Sequence, residues 1–135
     1  MFVMNPIGHV SSPLTNRSDA PKQGDEGAPE AWLELEPEYA DAARDLRAGH
    51  EILVLTWLHR AERGVMSVRP RDNPNARLRG VFSTRSPDRP NPIGIHRTTI
   101  VELDGETRFR VSALEAIDGT PILDIKPVLR PVHER

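Results

Sequence analysis

The segment 84–94 holds the densest group of side chains that could recognise a ligand. It contains three prolines within six residues, and proline both fixes φ and disfavours helix at the residue before it. The sequence therefore predicts a stiff, irregular loop that presents Arg85, Ser86, Arg89 and Asn91. Such a loop loses little entropy when a small polar ligand binds. The residues alone also allow a structural loop in which Arg85 or Arg89 pairs with a local acid.

A second cluster of polar residues occupies 118–127. The Asp118-Gly119 pair is ordinary turn chemistry, although Asp118 could also accept hydrogen bonds from ribose hydroxyls. Asp124 and Lys126 alternate with apolar residues, so we expect them to share one face of a strand and to pair.

Arginine is concentrated in the middle of the chain. Residues 59–97 contain nine arginines and three acids, a net charge of +6, whereas the whole chain carries −2. One interpretation is a site for an anionic ligand or an RNA backbone, with substrate phosphates held by the arginines at 69, 71, 77 and 79. The alternative is a set of surface arginines paired with the acidic N-terminal third.

The elements that must position these residues are mostly short strands. We predict strands at 5–10, 52–58, 65–68, 80–83, 95–103, 108–112 and 122–125. Asp104-Gly105 is a strong signal for a two-residue hairpin turn. Thirteen prolines spread along the chain also argue against long helices. The sequence predicts a mostly β, single-domain, antiparallel barrel-like fold with one short α-helix and long loops.

The helix is expected over residues 37–48. Pro37 suits its first position, and Tyr39, Ala43 and Leu46 follow helical spacing together with Ala42. Residues 15–30 are polar and rich in Gly, Asp and Pro, which predicts a long mobile loop.

Several classes of protein do not fit this sequence. The absence of cysteine excludes disulfides and thiolate zinc sites and is typical of a cytoplasmic protein, and the five histidines show no metal-ligand spacing. No apolar run reaches the length of a membrane span, and we expect no secretory signal at the N-terminus. Neither a phosphate-binding P-loop nor a dinucleotide-binding glycine motif is present, so nucleotide hydrolysis and a Rossmann methyltransferase fold are not indicated.

Four stretches taken together resemble the TsaA-like family, which includes the tRNA N6-threonylcarbamoyladenosine methyltransferases. They are Ile7-Gly8-His9-Val10, Trp57-Leu58-His59-Arg60, 84–94 and 118–127. The resemblance covers nearly all of residues 1–135 and implies one domain. It also implies a mostly antiparallel β-barrel that binds S-adenosylmethionine at a site completed across a homodimer.

The resemblance further implies, by motif match, which residues contact the cofactor. The stiff loop supplies Arg89, with Arg85 and Asn91 beside it. The remaining matches are Asp118, Gly119, Thr120 and Pro121 in a second stretch, His59 and Arg60 in a third, and Lys22, Gln23 and Gly24 in a fourth.

The implied function is N6-methylation of threonylcarbamoyladenosine next to the tRNA anticodon. Because the sulfonium of S-adenosylmethionine is already an activated methyl donor, the protein mainly has to align the acceptor nitrogen. A weak base would suffice, and His59, Asp118 and Asp124 are unranked candidates. Two alternatives stay open: a module that holds S-adenosylmethionine or another adenosine compound without chemistry, and a small barrel that binds nucleic acid without a cofactor.

Overall fold

The computed structural model describes residues 1–16, 27–69 and 73–130. Its strands are β1 Gly8–Ser11, β2 Ala31–Leu35, β3 Glu51–Trp57, β4 Ser67–Val68, β5 Arg79–Gly80, β6 Ile93–Leu103, β7 Arg108–Val111 and β8 Pro121–Pro127. Six of them form a closed barrel in the order β1-β2-β7-β6-β3-β8, with antiparallel neighbours, and β4 pairs with β5 in a separate two-stranded ribbon. The predicted antiparallel barrel-like fold is confirmed.

Alternation of side chains along the strands builds the core. Every second residue of β2 and β3 is buried, and their inward side chains join those of β1, β6, β7 and β8 in one cluster. Leu33, Val54, Ile100 and Phe109 are each at most 1% exposed. Burial of such a side chain contributes about 1.5–3 kcal/mol, so these positions carry much of the barrel's stability.

The predicted α-helix over 37–48 is wrong. The structure has a 3₁₀ helix at Pro37–Tyr39 followed by turns up to residue 45. Most backbone bonds here join residues three apart, such as Leu46 N to Ala43 O at 3.1 Å. Only Ala43 of the proposed apolar face is fully buried, and Ala42 is exposed. That face is too small for packing to stabilise an α-helix over the whole segment.

Three strand assignments also differ from the sequence expectations. The expected strand at 80–83 is β5 followed by a 3₁₀ helix at Val81–Ser83, because the hydroxyl of Thr84 and the guanidinium of Arg89 both bond to the Val81 carbonyl. The first strand begins at Gly8 instead of residue 5. The strand β2 was not predicted, since its short apolar alternation lies among glutamates and prolines.

The connections divide between the two ends of the barrel. Of the described residues, 12–16, 27–30, 58–69, 73–92 and 112–120 lie at one end, and 36–50 and 104–107 lie at the other. This division follows from the antiparallel order, because β1, β3 and β7 finish where β2, β6 and β8 begin. No helix in the described parts of the chain has the length and apolar character needed to cross a bilayer.

Candidate functional site

The loop 84–94 is held in shape by its own arginine. Arg89 is partly buried, and its two terminal nitrogens donate to the carbonyl oxygens of Val81, Thr84 and Ser86. Proline removes backbone N–H donors from this loop, so the guanidinium replaces the hydrogen bonds that a regular element would supply to those carbonyls. The shape of the loop is therefore held by hydrogen bonds within the chain.

The residues that follow β3 fasten this loop to the barrel. Arg63 donates through Nε to Pro90 O at 2.7 Å and through a terminal nitrogen to Asn91 Oδ1 at 2.8 Å. The Glu62 N–H donates to Asp88 Oδ1 at 2.8 Å. These bonds bring the stretch containing His59 and Arg60 against the stiff loop. Sequence reasoning missed Arg63, whose spacing gave no signal because its partners are distant in the chain.

A third stretch joins the same end of the barrel through the chain after β1. The Ser12 N–H donates to Asp118 Oδ1 at 2.9 Å, and the Asp118 N–H donates to Leu14 O at 2.6 Å. Arg60 donates to the neighbouring carbonyl of Thr15 at 3.0 Å. Residues 12–15 thus link Arg60 to the Asp118 turn.

The structure brings three of the four predicted cofactor stretches to one end of the barrel. They are His59 and Arg60; the loop with Arg85, Arg89 and Asn91; and Asp118, Gly119, Thr120 and Pro121. The fourth, Lys22, Gln23 and Gly24, lies outside the described residues. We call this end of the barrel the loop end.

Two of the three candidate bases lie at the loop end and one lies apart. Asp124 is on the outer wall of the barrel, opposite Leu55, and its Oδ2 is 3.2 Å from Nζ of Lys126, as the alternation predicted. Partial burial, reinforced by the neighbouring Arg60 guanidinium, lowers the pKa of His59 below its ordinary value. His59 is therefore uncharged at neutral pH and able to accept a proton.

The charge at the loop end is unbalanced. Within 1–16, 27–69 and 73–130, the exposed side chains of Arg69, Arg77, Arg79 and Arg85 have no hydrogen-bond or ion-pair partner. The arginines of the barrel wall, in contrast, pair with carboxylates; Arg97 bonds to Glu51 at 3.0 Å. The alternative interpretation is that carboxylates of the acidic N-terminal third pair with the arginine block. These four arginines form no such pairs with the described residues.

Comparison with known proteins agrees with this geometry. Residues 9–133 match the model of the tRNA-methyltransferase O N-terminal domain family. The chain belongs to this family. A probable S-adenosyl-L-methionine-binding protein of Methanothermobacter thermautotrophicus is 48% identical over 124 residues, which cover 92% of this chain and 88% of that protein. An S-adenosyl-L-methionine-binding protein of Archaeoglobus fulgidus is 40% identical and is covered to 88% of its length.

Solved structures give the same family assignment. A crystal structure of TrmO from Pseudomonas aeruginosa superposes with a TM-score of 0.73 at 28% identity, covering 96% of this chain and 56% of that one. A second TrmO crystal structure gives a TM-score of 0.74 at 29% identity. This tRNA-methyltransferase O N-terminal domain thus spans slightly more than half the length of those solved chains.

Proposed function

We propose that this chain binds S-adenosylmethionine at the loop end of its barrel and transfers the methyl group to N6 of threonylcarbamoyladenosine in tRNA. The observation that carries the proposal is the convergence of three predicted cofactor stretches on one end of the barrel, next to an unpaired arginine. The family membership and the names of the relatives from Methanothermobacter and Archaeoglobus support the choice of cofactor.

The residues at the loop end suit the chemical groups of this cofactor. Arg85 offers a free planar guanidinium, which matches a carboxylate such as that of the methionine moiety. Asp118 is exposed and uses Oδ1 for the Ser12 N–H, and its Oδ2 has no partner among the described residues and can accept from a ribose hydroxyl. Gly119 has φ +83°, so this turn brings backbone close to a ligand without a Cβ.

The protein's own groups would then orient the reactants and take up one proton. When bound, S-adenosylmethionine supplies a methyl group that needs no further activation. Arg89 keeps the loop in its bound shape before the ligand arrives, which lowers the entropic cost of binding. We assign to His59, uncharged at neutral pH, the role of accepting the N6 proton of the acceptor. The attached carbonyl of the acceptor makes that proton more acidic, so a weak base suffices.

The tRNA contact is proposed for the arm 58–92, which contains β4 and β5. Arg69, Arg77 and Arg79 are exposed there without carboxylate partners among the described residues. Unpaired arginines are suited to phosphate because no internal ion pair has to break on binding. Arg71 belongs to the same hypothesis and lies outside the described residues.

A homodimer is proposed through the outer face of β3 and β6. There Leu55 lies opposite Ile95 and Trp57 lies opposite Ile93, and both isoleucines are about 40% exposed. The Asp124–Lys126 pair borders this apolar face. An apolar patch with a polar rim on a sheet face is typical of a protein interface, and this one adjoins the stiff loop.

Light scattering tests the dimer with two substitutions on one strand. Ile95→Asp should yield a monomer, because it buries a charge in the interface. Val101→Asp is the matched control, since Val101 is also exposed on β6 but beyond the apolar face. A wild-type monomer, or an Ile95→Asp dimer, would refute this interface.

A methyl-transfer assay tests the function itself. Purified protein with isotopically labelled S-adenosylmethionine and bulk tRNA should label the RNA, and mass spectrometry should find methylated threonylcarbamoyladenosine. A second candidate function is a module that binds S-adenosylmethionine without transfer. It is favoured by the naming of relatives as S-adenosyl-L-methionine-binding proteins. Binding by calorimetry with no label transfer would select it.

A further inference from the structure

The segment 112–120 joins β7 to β8 and packs into the barrel at the loop end; we call it the plug. Leu114, Ala116 and Ile117 are each at most 7% exposed, and Leu114 belongs to the main core cluster. The plug ends in the Asp118 turn. Whatever holds the plug in the barrel therefore also sets the position of Asp118 and Gly119.

Two polar side chains on the inner face of β6 hold the plug. The Ala113 N–H donates to Thr98 Oγ1 at 3.2 Å, and Nδ1 of His96 lies 2.6 Å from Oε1 of Glu115. The His96 side chain is 4% exposed and that of Glu115 is 15% exposed. These bonds account for polar residues at positions where a barrel would otherwise bury aliphatic side chains.

A third residue completes a buried chain of hydrogen bonds. Thr56 on β3 is fully buried, and its Oγ1 lies 2.7 Å from Nε2 of His96. Because a carboxylate can only accept, the Nδ1–H of His96 donates to Glu115; with a neutral ring, the Thr56 hydroxyl then donates to Nε2. The order hydroxyl, imidazole, carboxylate is that of a Ser-His-Asp triad, but a fully buried hydroxyl cannot meet a substrate.

Gly94, the last residue of the stiff loop, packs directly against these hydrogen-bonded side chains. A Cβ on Gly94 would stand 2.5 Å from Thr56 Oγ1 and 2.7 Å from His96 Nε2, so the backbone at Gly94 fits only without a side chain. Thr56 also lies three residues before His59. The hydrogen-bond chain Thr56–His96–Glu115 thus touches three parts of the loop end: the end of β3, the end of the stiff loop and the plug.

We propose that Thr56, His96 and Glu115 are positioning residues that hold these three stretches in one fixed arrangement for the cofactor. This inference rests on the proposed function. A purely stabilising role would be served as well by aliphatic side chains of similar volume, since buried polar groups gain little net stability over good apolar packing. Thr56 lies on β3 just before His59, His96 lies on β6 just after the stiff loop, and Glu115 lies in the plug. Their hydrogen bonds therefore tie these three parts of the loop end to one another, as a positioning role requires.

Substitutions of Thr56 separate positioning from stability. Thr56→Val keeps the shape and removes the hydroxyl, and Thr56→Ser restores it. Val54→Ala is the matched control, because Val54 is equally buried on the same strand and its side chain cannot hydrogen-bond. We expect Thr56→Val to weaken S-adenosylmethionine affinity about tenfold, as misplaced positioning groups do, with Thr56→Ser close to wild type. Val54→Ala should lower the unfolding temperature without a comparable loss of affinity.

Two readouts do not depend on the cofactor. In wild type and Thr56→Ser, NMR should show a slowly exchanging ring proton on Nδ1 of His96, and the amides of Asp118 and Gly119 should be protected from hydrogen exchange. In Thr56→Val the amide protection should fall, while Val54→Ala should keep it. If the wild-type protein binds no S-adenosylmethionine, the proposed function fails. The NMR and exchange readouts still decide whether the hydrogen bonds of Thr56, His96 and Glu115 hold the plug in place.

Equal losses of affinity and amide protection in Thr56→Val and Val54→Ala would overturn the positioning role. If Thr56→Val does not fold, Glu115→Gln and Glu115→Leu give the same test. Glutamine keeps an oxygen that accepts from Nδ1–H, whereas leucine does not. Affinity retained in Glu115→Gln and lost in Glu115→Leu would support positioning, and equal behaviour of the two would overturn it.

Discussion

The two ends of the barrel differ in whether their arginines already have partners. The end formed by 36–50 and 104–107 has a depression of about 380 Å³ lined by residues that include Ala40, Arg44, Leu103 and Phe109. Its arginines are engaged: Arg44 pairs with Asp41 at 2.6 Å, and Arg108 pairs with Asp104 at 3.0 Å. The loop end instead presents Arg85 with no partner among the described residues.

This contrast distinguishes arginines that are already paired from one that is available to a ligand. At the depression, the favourable interactions of the charged groups are already made within the chain, so an anionic ligand would have to compete with them. At the loop end, Arg89 is committed to backbone carbonyls so that Arg85 can remain free. One arginine builds the loop, and the other is exposed without a partner among the described residues.

The largest expected effect is that of Arg89→Ala. It leaves the carbonyls of Thr84 and Ser86 without their donor and removes one donor from the Val81 carbonyl, and unpaired polar groups cost about 1–3 kcal/mol each when buried. We expect S-adenosylmethionine binding to fall about a hundredfold, measured by calorimetry. Arg44→Ala at the opposite end is the control and should change neither binding nor stability by more than about 0.5 kcal/mol. A bound cofactor in Arg89→Ala would contradict the building role.

Removal of the free guanidinium should have a smaller effect that is confined to binding. We expect Arg85→Ala to lose about 1.5 kcal/mol of S-adenosylmethionine affinity, the lower end of the range for a charge-assisted hydrogen bond, with an unchanged unfolding temperature. Arg97→Ala, which breaks the surface pair with Glu51, should leave the affinity as it is. If both variants bind S-adenosylmethionine like the wild type, Arg85 does not contact the cofactor.

The RNA interaction should depend on the arm and not on the opposite end. Arg77→Ala with Arg79→Ala should weaken tRNA binding at every sequence and reduce the slope of log affinity against log salt by about 1.5 to 2. The control is Arg44→Ala with Arg47→Ala, where both arginines already bond within the chain. Filter binding across a salt series measures the slope for the wild type and for each double variant. Equal slopes for all three proteins would show that the arm does not contact the RNA.

The smallest expected effect concerns pH. Because burial and Arg60 lower the pKa of His59, its neutral form persists below the ordinary value of about 6.5. Methyl transfer at saturating cofactor should therefore stay constant from neutral pH down to about 6.5 and decline below it as His59 becomes protonated. His59→Gln should be slower and should lack that decline. If the rate of His59→Gln still declines at low pH, a group other than His59 accepts the proton.

Local signals in the sequence predicted some parts of this molecule well. The turn between β6 and β7 contains Asp104-Gly105 as expected, with Gly105 at φ +76°, but the connection 104–107 is longer than the predicted two-residue turn because the Asp104 N–H donates to Arg108 O. The Asp124–Lys126 pair forms on one strand face. Both depend on residues close together in the chain. The family and the barrel followed from stretches whose residue types are unusually specific.

Other features depend on contacts that sequence spacing does not reveal. Alternation along β6 predicts two faces but not which one is inside, and it is the face with His96 and Thr98 that is buried while Ile93 and Ile95 are exposed. The inward direction of the Arg89 side chain depends on where prolines leave carbonyls without donors. Glu115 gave no signal because its partner is nineteen residues away across the barrel.

The closed order of the six barrel strands restricts how another molecule can attach to this protein. A sheet without open edges offers no backbone ladder to extend, so a second chain cannot join it by strand addition. In the described residues, only the ribbon of β4 and β5 has unpaired strand edges, and each of its strands is two residues long. Any association along the barrel wall must then be made by side chains alone.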